Sequence, residues 1–167
     1  MANGPRYVVK KLRRREGRTD YKQRINMLKS RTLRLVIRKS DKFISAQLVN
    51  YADNGDKTLA SAHSSELEGL GWKHGAKNTS AAYLTGLLLG RRAGGKEAIL
   101  DIGLHPATKG AKIFAALKGA VDGGLKINYN PAVLPSADRI AGKHIASHLK
   151  TEFGDFETVK KKIMELN

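Results

Sequence analysis

Apolar and polar residues alternate from Leu33 to Arg38, with Leu33, Leu35 and Ile37 on one face and Arg34, Val36 and Arg38 on the other. That period of two predicts a half-buried strand. Ser40-Asp41-Lys42 forms a short turn, and Phe43 to Tyr51 reads as a second strand. Asp53-Asn54-Gly55-Asp56 is a strong turn signal before a third strand from about Thr58 to His63, so the three should form an antiparallel meander. The pattern then changes. From Asn78 or Thr79 to about Arg92 the chain is apolar most of the way round a helix, with Gly86 and Gly90 four apart. This predicts a central helix packed closely where the glycines admit a neighbour. Gly94-Gly95 breaks it, and Glu97 to Ile102 reads as a buried strand. Ile113, Phe114, Leu117, Ala120 and Val121 mark an amphipathic helix over Ala111 to Asp122, followed by a short candidate strand at Leu125 to Ile127. Ser136 is placed to cap a helix to about Leu149, and Phe156, Val159, Ile163 and Leu166 mark a last one. The order β-β-β-α-β-α-β predicts an α/β fold: a mixed sheet with helices on its faces and further helices at the C-terminal end.

The chain ahead of the meander has a different texture. Residues 1–18 hold one Pro, two Gly and no apolar period, which predicts an extended basic arm preceding a single domain over residues 19–167. Thr19 is a plausible N-cap for a helix to about Ser30, with Asp20 in its first turn. Tyr21, Ile25 and Leu28 share a stripe expected to dock on the body, flanked by Lys22 and Lys29 on one side and Arg24 and Arg31 on the other. An ordinary solvated amphipathic helix would show the same stripe.

Charge sharpens the contrast. Residues 1–42 carry fifteen Lys and Arg against three acids, a net +12 of the chain's +16. Arg34 and Arg38 are expected to point outward and, with Lys39 and Lys42, to extend the field of the arm. Nucleic acid is the default partner for such a polarised charge, ahead of an anionic membrane surface or an acidic protein. The 167 residues and 41% apolar content suffice for a real core. The chain lacks cysteine, which excludes disulfides, thiolate metal sites and cysteine nucleophiles. With no N-terminal apolar stretch and no apolar run of membrane-spanning length, a cytoplasmic protein is expected.

Other motifs are weak. Gly90 to Lys96 has the glycine and lysine spacing of a phosphate-binding loop, but Glu97 stands where a hydroxyl is needed and a helix precedes rather than follows it. His144 and His148 sit four apart without a third ligand. A metal-dependent nuclease would need several converging carboxylates. Glu97 and Asp101 share one strand face, while Asp122 and Asp138 lie near helix ends, where caps and ion pairs explain them. Gly71-Trp72-Lys73-His74-Gly75-Ala76-Lys77 is a basic loop around the only tryptophan. Trp72 could stack on an unpaired base with Lys73 on a flanking phosphate, or it could cover the edge of the core. Thr108-Lys109-Gly110 could hold a phosphate at the next helix or simply cap it.

Long segments of the chain resemble the universal L-eighteen family of large-subunit ribosomal proteins in its archaeal form. They are YKQRINMLKS at 21–30, RLVIRKSDKFISAQLV at 34–49, GDKTLASAHSSEL at 55–67, GWKHGAKNTSAAYLTGLLLGRRA at 71–93, AILDIGLH at 98–105, KIFAALKGAVDGGLKI at 112–127 and LPSADRIAGKHIASH at 134–148. The resemblance implies a ribonuclease-H-like body without nuclease activity. It implies no enzyme and no cofactor, but a structural protein that binds 5S rRNA and attaches it to large-subunit rRNA in the central protuberance. The neighbouring 5S-binding protein, L-five in the bacterial naming, would be a partner. Carried onto this chain, the rRNA-binding residues would be Lys10, Lys11, Arg13, Arg14, Arg15 and Arg18 of the arm and Tyr21, Lys22, Arg24, Lys29 and Arg31 of the helix. Arg38 and Lys42 at the meander turns would join them.

Overall fold

The computed structural model describes residues 4–150 and 154–166. Three antiparallel strands, β1 (Leu33–Lys39), β2 (Ile44–Asn50) and β3 (Lys57–His63), form the meander. Gly55 takes φ 126° in the β2–β3 turn, which suits the glycine of that signal. The fourth strand, β4 (Ala98–Asp101), pairs parallel to β1, so the sheet runs β3-β2-β1-β4. This mixed order is that expected of the ribonuclease-H-like body. The candidate strand at Leu125 to Ile127 is reduced to a single parallel bridge between Glu97 and Lys126. The chain leaves the sheet there because Asn130 caps a 3-10 turn at Pro131–Val133, and proline has no N–H to extend a ladder.

One face of the sheet is closed by helices. After a short turn of helix that the sequence pattern does not indicate, α3 (Glu66–Gly69), the central helix α4 spans Thr79–Ala93 with the Asn78 side chain accepting from Ala81 N at 2.6 Å. It packs against α5 (Lys112–Asp122), and the glycines decide how closely. A Cβ on Gly86 would collide with the carbonyl of Ala116, and one on Gly119 with that of Tyr83. The two backbones therefore touch where only glycine fits. Leu35, Ile37, Ala46 and Leu48 of the sheet and Leu84, Leu87, Leu88 and Leu117 of the helices form the dry core.

At the C-terminal end the expected helix to Leu149 splits into α6 (Ala137–Ile140) and α7 (Lys143–Leu149), because Gly142 turns left-handed at φ 80°. The last helix, α8 (Asp155–Glu165), buries Phe156, Val159 and Ile163 as its period requires, while Leu166 lies beyond it and is exposed.

Ahead of the sheet, the arm and its helix depart from expectation in three ways. The arm, described from Gly4, is not extended throughout: Leu12–Arg15 closes one helical turn, α1, with Arg15 N donating to Lys11 O at 3.0 Å. The turn buries no residue and has no side-chain cap. The following helix, α2 (Tyr21–Leu28), is capped by Asp20 and not Thr19, the Asp20 carboxylate accepting from Lys22 N at 2.9 Å and Gln23 N at 3.1 Å. Lastly, Ile25 is 54% exposed. The docked face is Tyr21, Arg24, Met27 and Leu28, rotated from the apolar stripe because Arg24 is drawn inward by an acid described below.

Candidate nucleic-acid interface

Alternation places Arg34 and Arg38 on the sheet face opposite the core helices, and there α2 lies against β1 and β4. Of the side chains expected to point outward, Arg34 is enclosed, while that of Arg38 stays 41% exposed. Arg34 is 2% exposed, and an unpaired guanidinium at that depth would be prohibitive. The fold meets it with two carboxylates: Asp56 at 2.6 Å, from the β2–β3 turn, and Asp101 at 3.1 Å, from β4. Asp56 also takes Arg24 of α2 at 2.8 Å, and Asp101 takes Arg38 at 2.8 Å. Arg38 donates again to the Asp101 carbonyl at 2.7 Å, and Gly103 N donates to Asp101 Oδ1 at 2.9 Å. A Cβ on Gly103 would press on the Arg38 guanidinium, so the glycine leaves room for that pair. Partial burial pushes the Asp56 carboxyl up, but hydrogen bonds and charge from Arg34 and Arg24 more than offset this and hold it below its ordinary value. Three arginines and two aspartates thus tie α2, β1, β4 and the β2–β3 turn together.

This network corrects the expected charge map. Arg34 is sealed from water between two aspartates, Arg24 is a staple with a half-buried head, and Arg38 pairs with Asp101 while part of its side chain stays exposed. Asp101, one of the carboxylates a nuclease would have needed, is committed to two arginines. Asp122 accepts from Tyr83 Oη at 2.8 Å, and Glu97, exposed, lies just outside β4. No group of three or more His, Cys, Asp or Glu among the described residues could hold a metal ion.

Within the basic stretch ahead of the sheet, the cations facing water are those of the arm and the outer flank of α2. Lys10, Lys11, Arg13, Arg14, Arg15 and Arg18 are exposed, as are Lys22, Lys29 and Arg31. The arm is positioned by few contacts. Arg13 Nε donates to Thr19 Oγ1 at 2.9 Å, Arg18 pairs with Glu16 at 3.0 Å, and Lys11 Nζ lies 5.3 Å over the Tyr21 ring. Arg13, Arg18, Arg38 and His105 line one cleft of about 320 Å³ between arm and sheet end. Burial first, then the charges of Lys39 and Arg38, push His105 below its ordinary value. Lys42 and Lys73 are exposed on the body.

Trp72 is not available for stacking. It is 3% exposed, with Nε1 donating to Gly75 O at 3.4 Å, so the core-edge reading of this residue is the one the structure supports. Lys73 alone of that pair faces solvent. A further cationic group, which the sequence pattern does not reveal, lies at the carboxyl ends of β1 and β4. Lys112, half-buried at the start of α5, is pushed below its ordinary value by burial and then by Lys77 and Lys39. Only a proximity that no linear motif announces brings these three together. The segment ending α4 turns left-handed at Gly94 and presents no helix N-terminus, which removes the phosphate-loop reading. His144 and His148 are exposed on α7.

Residues 5–96 and 93–130 match the model of a family described as ribosomal large subunit proteins 60S L5 and 50S L18. The chain belongs to this family. It is 55% identical over 151 residues to the large ribosomal subunit protein uL18 of Methanoregula boonei, an alignment covering 89% of this chain and 87% of that protein. The uL18 of Haloarcula marismortui is 55% identical over 151 residues, covering 89% and 81%. That of Methanothermobacter thermautotrophicus is 51% identical over 154 residues, covering 90% and 80%. A member of the L18 family is a structural ribosomal protein of the large subunit and not an enzyme, which accounts for a cationic surface without a catalytic constellation. No helix among the described residues is long and apolar enough to cross a membrane.

Proposed function

We propose that this L18-family chain binds 5S rRNA and fastens it to large-subunit rRNA in the central protuberance, beside the L-five-type protein. The observation that carries the reading is the separation of the cations into two populations. Arg24, Arg34 and Arg38 are paired with Asp56 and Asp101, whereas Lys10, Lys11, Arg13, Arg14, Arg15, Lys22, Lys29 and Arg31 face water. An array of free guanidinium forks on a lightly tethered arm suits phosphates, which arginine takes in bidentate fashion. A-form RNA hides base edges in its deep groove, so selection for 5S rRNA would rest on shape and on unpaired segments.

In this reading Lys10, Lys11, Arg13, Arg14, Arg15, Arg18, Lys22, Lys29 and Arg31 contact the rRNA backbone, with Lys42 and Lys73 at the margin. Arg24 and Arg38 act by holding α2 and the sheet end in place. Tyr21, whose ring is shared with Lys11, contributes its edge. The test is competition between a 5S rRNA transcript and bulk duplex DNA at fixed salt, together with sedimentation on large subunits through a salt wash. Preference for the transcript and retention on the subunit are expected. Equal affinity for both nucleic acids would replace this reading with that of a general compacting protein.

A further inference from the structure

With Trp72 buried, an exposed aromatic suited to stacking lies elsewhere. Tyr51, at the end of β2, is 50% exposed. It lines a cleft of about 430 Å³ with Leu28, Arg31, Thr32, Asn50 and Asp53, within the size range of small-ligand sites. One wall is the last turn of α2 and its exit; the other is the loop leaving β2. The Arg24–Asp56–Arg34 bridge ties these two walls together at 2.8 and 2.6 Å, so the cleft exists before anything enters it. Arg31 closes the helix with its N–H on Leu28 O at 3.1 Å and holds φ 54°, a left-handed conformation unusual for arginine. Its exposed side chain stands at the rim.

The lining chemistry is selective. A phosphate would meet the Asp53 carboxylate and be repelled. A flat ring would find an aromatic face in Tyr51, an apolar floor in Leu28, and hydrogen-bonding groups in Asn50, Thr32 and Asp53. We infer that this cleft receives one unpaired nucleobase of the bound RNA, stacked on Tyr51, with Arg31 on its flanking phosphate. The carboxylate favours a base that presents an exocyclic amine, since only a donor satisfies it. The site rests on the RNA-binding reading above and adds to it a contact that charge alone does not supply.

The experiment measures binding of a 5S rRNA transcript by the intact chain and by Tyr51→Ala, Tyr51→Phe and Arg31→Gln over a range of salt. Tyr51→Ala should weaken binding about 5- to 150-fold, the range for loss of one base–aromatic stack. Its salt dependence should match that of the unaltered chain, because a stack releases no counterion. Tyr51→Phe should bind within about twofold of the unaltered chain, since the ring face is kept. Arg31→Gln should lower the salt slope by roughly 0.7 to 0.9. Chemical probing should show one base, protected by the unaltered chain, exposed again with Tyr51→Ala. Full affinity in Tyr51→Ala overturns the cleft and leaves the RNA-binding reading standing. Equal losses in Tyr51→Ala and Tyr51→Phe also overturn it, by pointing to the hydroxyl. An unaltered chain that does not bind the transcript overturns both.

Discussion

Arginines of the arm and arginines of the sheet face occupy the same basic stretch of sequence, yet their charge is met in opposite ways. Among the described residues, Arg13, Arg14 and Arg15 stand in water without an acid on them, and Arg18 pairs with Glu16 alone. Arg24, Arg34 and Arg38 converge on Asp56 and Asp101, which arrive from the β2–β3 turn and from β4. A net +12 over residues 1–42 therefore overstates the field those residues project, since both neutralising acids lie outside that window. The difference teaches that charge counted along the chain becomes surface potential only after folding has chosen partners. It also divides labour: one group of arginines builds the platform, and the other is left for a polyanion.

Replacing Asp101 breaks the comparison from the platform side. Asp101→Asn leaves Arg34 buried with a weakened partner, so unfolding free energy should fall by about 3–5 kcal/mol, read from denaturant midpoints. A protein as stable as the parent would mean the network contributes little. Asp56→Asn is expected to cost less, about 1.5–3 kcal/mol, because the turn is partly solvated. Its pH signature is distinctive. The Asp56 carboxyl is held below its ordinary 3.8 in the folded chain, so its stabilisation is complete above that value. It is lost as pH falls through the depressed folded value. Asp56→Asn should flatten that acid limb of the stability curve; an unchanged limb would remove Asp56 as its source.

Arg14→Gln or Arg15→Gln probes the other group. Stability should stay within about 0.5 kcal/mol of the parent, while the log–log salt slope of RNA binding drops by roughly 0.9 for each phosphate no longer neutralised. A destabilisation comparable to that of Asp101→Asn would erase the distinction between the two populations. The smallest effect is expected at Lys112, a cation that neither group includes. Burial and then Lys77 and Lys39 depress it, so its charge opposes folding at neutral pH, and Lys112→Met should raise stability by up to about 0.5 kcal/mol. A decrease would mean that packing of its stem outweighs the repulsion.

How much of the molecule is legible in the sequence follows from which forces are local. The β1 alternation, the turn around Gly55 and the Gly86 approach to α5 are set by period and by glycine, and each stands where the pattern places it. The rotation of α2 is hidden, because the apolar stripe of Tyr21, Ile25 and Leu28 competes with an ion pair to Asp56, thirty-two residues away from Arg24. Arg34 is misplaced by sequence for the same reason: alternation gives its face, but not that a basic helix would roof that face. The break at Gly142 is silent because a glycine inside an amphipathic pattern is often tolerated. Trp72 is ambiguous, since an aromatic among lysines and glycines suits a stacking loop and a core edge equally well.

On this account the free cations of the arm carry RNA binding while the paired ones carry the fold. The most direct test is the salt dependence of 5S rRNA affinity for the intact chain and for one lacking residues 1–18, which keeps Asp20 and therefore the cap of α2. If about six phosphates are neutralised, the intact chain should give a log–log slope near five, and the shortened one, left with Lys22, Lys29 and Arg31, roughly 2.7, with the melting transition unmoved. An unchanged slope in the shortened chain would contradict that division.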